Sequence, residues 1–328
     1  MRAWQVRRHG RPDEVLEWSE RDVPSPGPGR LRVRVRSAGI GLPDALMCAG
    51  TYAFSPPLPF APGQEVCGIV EAVGEGTTVP VGTRVMGVTD FFDGHGGLAE
   101  HCLMGEVSSF VVPDDLDDDR AACFRIGYST AWIGLVRRGA VQAGETVLVL
   151  GAAGGSGAAA IEVARALGAR VIAVVSDATK AEFVARLGAE HVVDRTAGPV
   201  VEAVRAATDG RGVDVVFDPV GGTLASDAMR TLVSGGRFLA VGFASGTWAR
   251  PETAEMVRAN WSFIGVYAGA IGRVDNEIDQ ARLLDLVGEG RLRPSCTVVG
   301  ASEVPSVVQH VADGRMIGKV VVRMGEQG

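Results

Sequence analysis

The chain has 328 residues, five of them cysteine, with 46% hydrophobic residues, 22% charged residues and a formal net charge of −7. The acidic balance opposes a phosphate backbone and weighs against nucleic-acid partners. No uncharged apolar run reaches the roughly 18 residues of a membrane span, and the opening MRAWQVRRHG carries charges where a secretion signal needs an apolar run.

The length is a prior for two domains. Cys48, Cys67, Cys102, Cys123 and Cys296 include no CxxC pair and read as free thiols of a reducing cytoplasm. Residues 1–120 read as short strands and turns. The run RLRVRVR at 30–36 alternates, placing its apolar residues on one face and its arginines on the other. The arginine face is expected to be solvated and to discourage edge pairing, in preference to binding an acidic acyl carrier. Residues 64–73 and 83–88 follow as glycine-bounded strands, and this half reads as a β-rich, barrel-like unit. The acidic run DDLDDD at 114–119 suits the start of a helix, and 121–138 is apolar at helical spacing. Strands and helices then alternate: strand 146–150, helix 155–167, strand 170–175, helix 178–187, and strands at 191–194, 213–218, 237–241 and 262–267. That alternation predicts a parallel sheet with helices on both faces. A helix at 277–288 and a strand at 320–323 end the chain, whose tail is expected to close back onto the first half.

The run VLVLGAAGGSG at 147–157 carries the strongest functional signal. Gly151 permits a sharp turn off the strand, Gly154 lets backbone N–H groups reach a diphosphate, and Gly157 lets the helix pack close to the strand. The helix N-terminus adds unpaired donors and partial positive charge for that anion. The spacing is GxxGxxG, not GxGxxG, but the strand before it and the helix after it supply the context such a motif requires. The next strand ends in Val175, where an NAD site would hold an acid. Ser176 and Lys180 follow as a donor and a point charge suited to a 2′-phosphate, and Arg195 adds a third group, so the pattern favours NADPH. Asp177 opposes it, being suited to a ribose diol, although it also suits the cap of the next helix.

These residues carry a family likeness. The stretches APGQEVCGIVEAVG at 61–74, STAW at 129–132, GAAGGSG at 151–157, LGAEHVVD at 187–194, VDVVFDPVGG at 213–222, GGRFLAVGFASG at 235–246 and GKVV at 318–321 span the chain. In combination they make it resemble medium-chain dehydrogenases/reductases of the zinc-independent quinone oxidoreductase family. The resemblance implies an α/β fold: a GroES-like, β-barrel-type catalytic domain at 1–120, completed by 268–328, and a Rossmann doubly wound parallel-sheet domain at 121–267, with NADPH in the cleft between them. It implies cofactor contacts at Gly41, Thr130 and Lys319, and along the glycine run at Gly151, Ala153, Gly154, Gly155, Ser156 and Gly157. Ser176, Lys180 and Arg195 join them, as do Val220, Gly242, Phe243, Val266 and Tyr267. Thr130 and Tyr52 are the catalytic candidates. Tyr52 is suited to stacking on a ring or donating a proton, and equally to packing within its domain.

The chain also departs from its relatives. Gln64 stands where zinc-dependent members place histidine, Cys102 is alone in its region, and no set of three or four N or S ligands assembles, so no metal is expected. His95 and His101 read as loop surface. Gly41 replaces an asparagine that relatives carry near the nicotinamide, Arg195 replaces a tyrosine, and Asp44 is expected to brace its loop.

The implied activity is hydride transfer from NADPH to a quinone or other conjugated carbonyl. Orientation of the two reactants would supply much of the acceleration, and nearby donors would stabilise the developing anion. An enoyl-thioester (acyl-CoA or acyl carrier) or alkenal reductase would use the same chemistry. A non-catalytic NADPH-binding or RNA-binding protein is the reading from another class, with the acidic charge counting against RNA. The resemblance implies a homodimer, and the run SFIGVY at 262–267, read as an uncharged edge strand, suits pairing with its copy across a two-fold axis.

Overall fold

A computed structural model describes residues 1–324. The chain forms two compact units, one made of Met1–Ile126 with the segment from Pro294 onward, the other of Gly127–Arg293. Two boundaries differ from those expected. Residues 121–126 belong to the first unit, where the Ile126 N–H donates to Glu65 Oε2 at 2.7 Å. Residues 268–293 belong to the second, because the helix Arg273–Gly288 is tied there through Asp279. Its buried carboxylate accepts from Trp132 Nε1 at 2.9 Å and Arg137 Nε at 2.7 Å.

The first unit is built on a mostly antiparallel sheet in the order Cys296–Gly300, Lys319–Arg323, Arg30–Ile40, Glu65–Val73, Arg84–Val88, Ser109–Val111, with His101–Gly105 also paired to Arg30–Ile40. The tail strand thus returns to the first half as expected, beside Arg30–Ile40. Val33, Val35, Ala38 and Ile40 of the long strand enter a core shared with Val66, Val70, Met104, Val308 and Val322. The strand is central, not an edge. Three of its four arginines meet carboxylates brought by other segments: Arg30 with Asp90 at 3.0 Å, Arg34 with Glu71 at 2.7 Å and Arg36 with Asp118 at 3.1 Å. The expectation of a face that blunts edge pairing is therefore replaced by one that joins segments across the sheet. His101 Nε2 lies 2.9 Å from Glu71 and His95 Nδ1 lies 3.3 Å from Arg21, so both histidines are engaged and neither is simple loop surface.

The acidic run at 114–119 opens a helix as expected. Asp117 accepts from the Arg120 N–H at 2.8 Å, the N-cap arrangement. The expected helix over 121–138 is three pieces: Asp118–Ala122, Arg125–Trp132 and a wider π-type turn at Ile133–Arg138 closed by Gly139 N–H to Gly134 O at 2.7 Å.

The second unit holds six parallel strands in the order His191–Asp194, Arg170–Val175, Thr146–Val149, Val213–Asp218, Leu232–Ala240, Ser262–Gly265. The chain builds outward in one direction from Thr146–Val149, returns, and builds in the other. This is the doubly wound Rossmann order, with its switch point beside that strand. Such strands are buried on both faces and read as continuous apolar runs; Val147, Leu148 and Val149 are each 0% exposed. Among the described residues no helix is long and apolar enough to cross a membrane.

Candidate functional site

Each strand of the second unit ends at the same edge of the sheet, and the segments leaving those ends carry most of the anticipated site residues. The first is the glycine run. Gly151 takes a φ of +54°, which lets the chain turn directly off the strand. Gly154 is the N-cap of the helix Gly155–Ala166. A Cβ at Gly157 would stand 2.5 Å from Gly151 O and 2.7 Å from Ala152 Cα, so only glycine lets this helix approach the turn so closely. The helix accordingly starts with small residues and bare backbone donors, the arrangement that receives a diphosphate. Ala153, Gly155 and Ser156 lie on the same turn.

The second strand end holds Ser176, Asp177 and Lys180 together. Lys180 Nζ lies 3.0 Å from Ser176 Oγ and 3.3 Å from Asp177 Oδ2. Asp177 Oδ1 accepts the Lys180 N–H at 2.9 Å and caps the helix Ala178–Leu187. Asp177 therefore has the capping role considered for it. The Lys180 N–H, followed by the ammonium, holds its carboxyl below the usual carboxylate range. Arg195 follows the neighbouring strand, and its N–H donates to Val175 O at 3.0 Å, so it sits beside the same strand end.

Val220, Gly242 and Phe243 lie in two loops stitched together. Asp218 ends its strand fully buried, and its Oδ1 accepts from the Val220 and Gly221 N–H groups, each at 2.8 Å. Its backbone oxygen accepts from Val241 and Gly242, and Val220 O accepts from Ser245. Burial pushes the Asp218 carboxyl up from its ordinary value. Asp218 went unnoticed in the sequence, although an acid at a strand end before Pro-Val-Gly-Gly was a usable sign. Val266 and Tyr267 follow the sixth strand, with the Val266 N–H bound to Ala240 O at 2.9 Å. Thr130 differs from these in sitting half-buried on the helix Arg125–Trp132 instead of at a strand end.

Gly41, Tyr52 and Lys319 belong to the first unit. Gly41 and Lys319 are neighbours, since a Cβ at Gly41 would lie 3.7 Å from Lys319 Nζ. Gly41 is the N-cap of the helix Leu42–Ala49. Asp44 braces this loop as anticipated: Oδ2 accepts from the Gly41 N–H and Oδ1 from the Gly63 N–H, each at 2.8 Å. Burial pushes its carboxyl up to about 6 despite those two bonds. Lys319 Nζ lies 2.8 Å from Glu65 Oε1, and the Glu65 side chain is 1% exposed. Burial opposes the Lys319 charge, but Glu65 and Asp44 outweigh it and raise the ammonium above its usual value. Glu65 as the partner of Lys319 was not visible in the sequence. Tyr52 stands in the loop after Leu42–Ala49, edge-on to Phe54 at 5.7 Å between ring centres, and packs against the first unit's core. Among the described residues no group of three or more His, Cys, Asp or Glu side chains is placed to hold a metal ion.

Comparison with known proteins matches residues 27–114 to the alcohol dehydrogenase GroES-like domain and residues 155–288 to the zinc-binding dehydrogenase family. The chain is 35% identical over 292 residues to quinone oxidoreductase-like protein 2 of Bos taurus, covering 87% of this chain and 82% of that one. Among solved structures it is similar to a probable oxidoreductase from Mycobacterium abscessus, at 38% identity, a TM-score of 0.87 and 98% coverage of both chains. It is also similar to a mycobacterial protein complexed with NADPH, at 29% identity, a TM-score of 0.90, and coverage of 98% of this chain and 100% of that one.

Proposed function

This chain belongs to the zinc-independent quinone oxidoreductase-like family of the medium-chain dehydrogenases/reductases, and we propose that it reduces a quinone or another conjugated carbonyl with NADPH. The observation that carries the reading is the strand-end edge of the second unit. A glycine turn shaped for a diphosphate there adjoins a strand end bearing Ser176, Lys180 and Arg195. The mycobacterial relative complexed with NADPH supports the choice of cofactor.

NADPH, when bound, supplies the hydride. The chain's own residues supply position and charge. Backbone donors at Gly155, Ser156 and Gly157 would hold the diphosphate, the Gly154 N–H being bound to Gly151 O at 2.9 Å, and Ser176, Lys180 and Arg195 the 2′-phosphate. The stitched loops at Val220 and Gly242–Phe243, with Val266–Tyr267, would form a fixed wall for the nicotinamide, and such fixed placement supplies much of the acceleration. Thr130 and Tyr52 bear the hydroxyls assigned to the reacting end, to stabilise the anion formed on the acceptor. The resemblance assigns Gly41 and Lys319 to the cofactor as well, Lys319 through its charge.

The test follows the loss of reduced-nicotinamide absorbance with NADPH and NADH, against para-benzoquinone, phenanthrenequinone, an alkenal and crotonyl-CoA. Turnover of quinones with NADPH is expected. Turnover of the thioester alone would replace the quinone reading with an enoyl-thioester reductase, and binding of NADPH without any turnover would favour a non-catalytic role. The same reading puts the enzyme in a reducing cytoplasm, supported by its five free thiols.

A homodimer is part of this proposal. Ser262–Gly265 is an edge strand paired on one side only, short and uncharged, a surface that pairs readily with its own copy across a two-fold axis. Light scattering should give twice the 34.2 kDa chain mass; a monomer mass would remove this part of the proposal.

A further inference from the structure

The chain leaves the first unit at Ile126 and re-enters it at Pro294. Cys123 stands just before the first crossing and Cys296 just after the second. Cys123 Sγ donates to the Arg120 carbonyl oxygen at 3.3 Å and lies 4.0 Å from the carbonyl oxygen of Ser295, the residue directly before Cys296.

Both cysteines are referenced to a single strand, Lys319–Arg323. Cys123 is the C-cap of the helix Asp118–Ala122. That helix is held to the sheet by Asp119, which accepts from Ser37 Oγ at 2.6 Å and from Arg323 Nη2 at 2.6 Å. Cys296 begins the strand Cys296–Gly300 and is registered opposite Lys319. Both cysteines therefore stand next to elements that are tied to the sheet.

The pair is chemically unlike the other cysteines. Cys48, Cys67 and Cys102 are each 0% exposed, and burial raises all three thiols. Cys296 is partly exposed, and the hydrogen bond from Cys123 lowers its thiol below the ordinary value. Cys123 is 4% exposed, and its thiol is raised by that same hydrogen bond and by burial. A partly exposed thiol of lowered pKa beside a second, buried thiol is the arrangement of an oxidisable pair.

We propose that Cys123 and Cys296 form a reversible disulfide site whose oxidant is a hydroperoxide. The Cys296 thiolate attacks one peroxide oxygen; the S–O bond forms, the O–O bond breaks, and the leaving oxygen departs as water after taking a proton. Sulfur is oxidised by two electrons and the peroxide is reduced. Cys123 then loses its proton and attacks the sulfenic sulfur; the S–S bond forms, the S–O bond breaks, and a second water leaves. In sum, two thiols and one hydrogen peroxide give one disulfide and two waters. The bond would close a covalent loop around the entire second unit and fasten its two chain connections to each other.

The experiment treats the full-length protein with hydrogen peroxide and then with dithiothreitol. The expected product has lost two hydrogens in intact mass and two of its five free thiols. It yields a peptide joining Cys123 to Cys296, and it runs faster on a non-reducing denaturing gel because so large a loop contracts the unfolded chain. Dithiothreitol should reverse every change. Cys296→Ser, at the more exposed position, should abolish the fast band completely, and Cys123→Ser should do the same while leaving Cys296 open to oxygen addition. If Cys123→Ser fails to fold, Cys296→Ser and the peptide map decide the matter. Oxygen added to Cys296 without linkage in the unmutated protein, linkage to another cysteine, or no change in mass would each overturn the proposal.

Discussion

Replacing Lys319 by alanine should lower the unfolding free energy of the first unit by about 3–5 kcal/mol, the range for removing one partner of a buried ion pair. The Glu65 side chain is 1% exposed and that of Lys319 15%, so little water is present to screen the carboxylate left behind. Glu65 Oε2 is already engaged by the Ile126 N–H at 2.7 Å, which leaves Oε1 without its cation. Asp44 is completely enclosed close by and adds a second negative charge. Denaturant titration should show a lower midpoint with an unchanged slope. The double variant Lys319→Met with Glu65→Gln should recover much of the loss, because it removes both charges together. A loss below about 1 kcal/mol in the single variant would mean that the pair behaves as a solvated surface bridge.

That pair marks the limit of what the sequence discloses. The glycine run was readable because its demands are local: a left-handed turn at Gly151 and a contact at Gly157 that no side chain fits. The strands Arg170–Val175 and Val213–Asp218 fall where the apolar runs place them, since strands buried on both faces need no partner to declare themselves. Residues whose role depends on distant pairing were less visible. The alternation at 30–36 identified a strand, but nothing in it told that Glu71, Asp90 and Asp118 would arrive to meet its arginines. The helices Leu42–Ala49 and Val304–Ala312 were missed where proline stands in the first turn, although proline is well tolerated there. The boundary at 268 was misplaced because the helix Arg273–Gly288 is joined to its unit by the carboxylate of Asp279, a polar tie that hydrophobic spacing does not register. The strand Cys296–Gly300, and with it the meeting of Cys123 and Cys296, was missed for the same kind of reason: it exists through pairing with Lys319–Arg323.

Lys180→Ala should reduce kcat/KM with NADPH about ten- to a hundredfold and leave NADH nearly unaffected. The loss corresponds to one hydrogen bond to a charged group, about 1.5–3 kcal/mol. The structure explains why Lys180 is the residue to change. Its ammonium lies 3.0 Å from Ser176 Oγ and 3.3 Å from Asp177 Oδ2, so it is held at the strand end by neighbours already in place and loses little freedom on meeting an anion. Asp177 is the competing influence, because its carboxylate would repel a 2′-phosphate and suit a ribose diol. Its Oδ1 is occupied by the Lys180 N–H and its Oδ2 by the ammonium, which partly neutralises that repulsion. Asp177→Ser keeps a capping oxygen for the helix and removes the negative charge. It should therefore leave NADPH turnover equal or faster and slow the reaction with NADH. Steady-state kinetics with both cofactors on the two variants separate the readings. If Lys180→Ala and Asp177→Ser instead depress NADH turnover alone, the strand end is a ribose site and the cofactor is NADH.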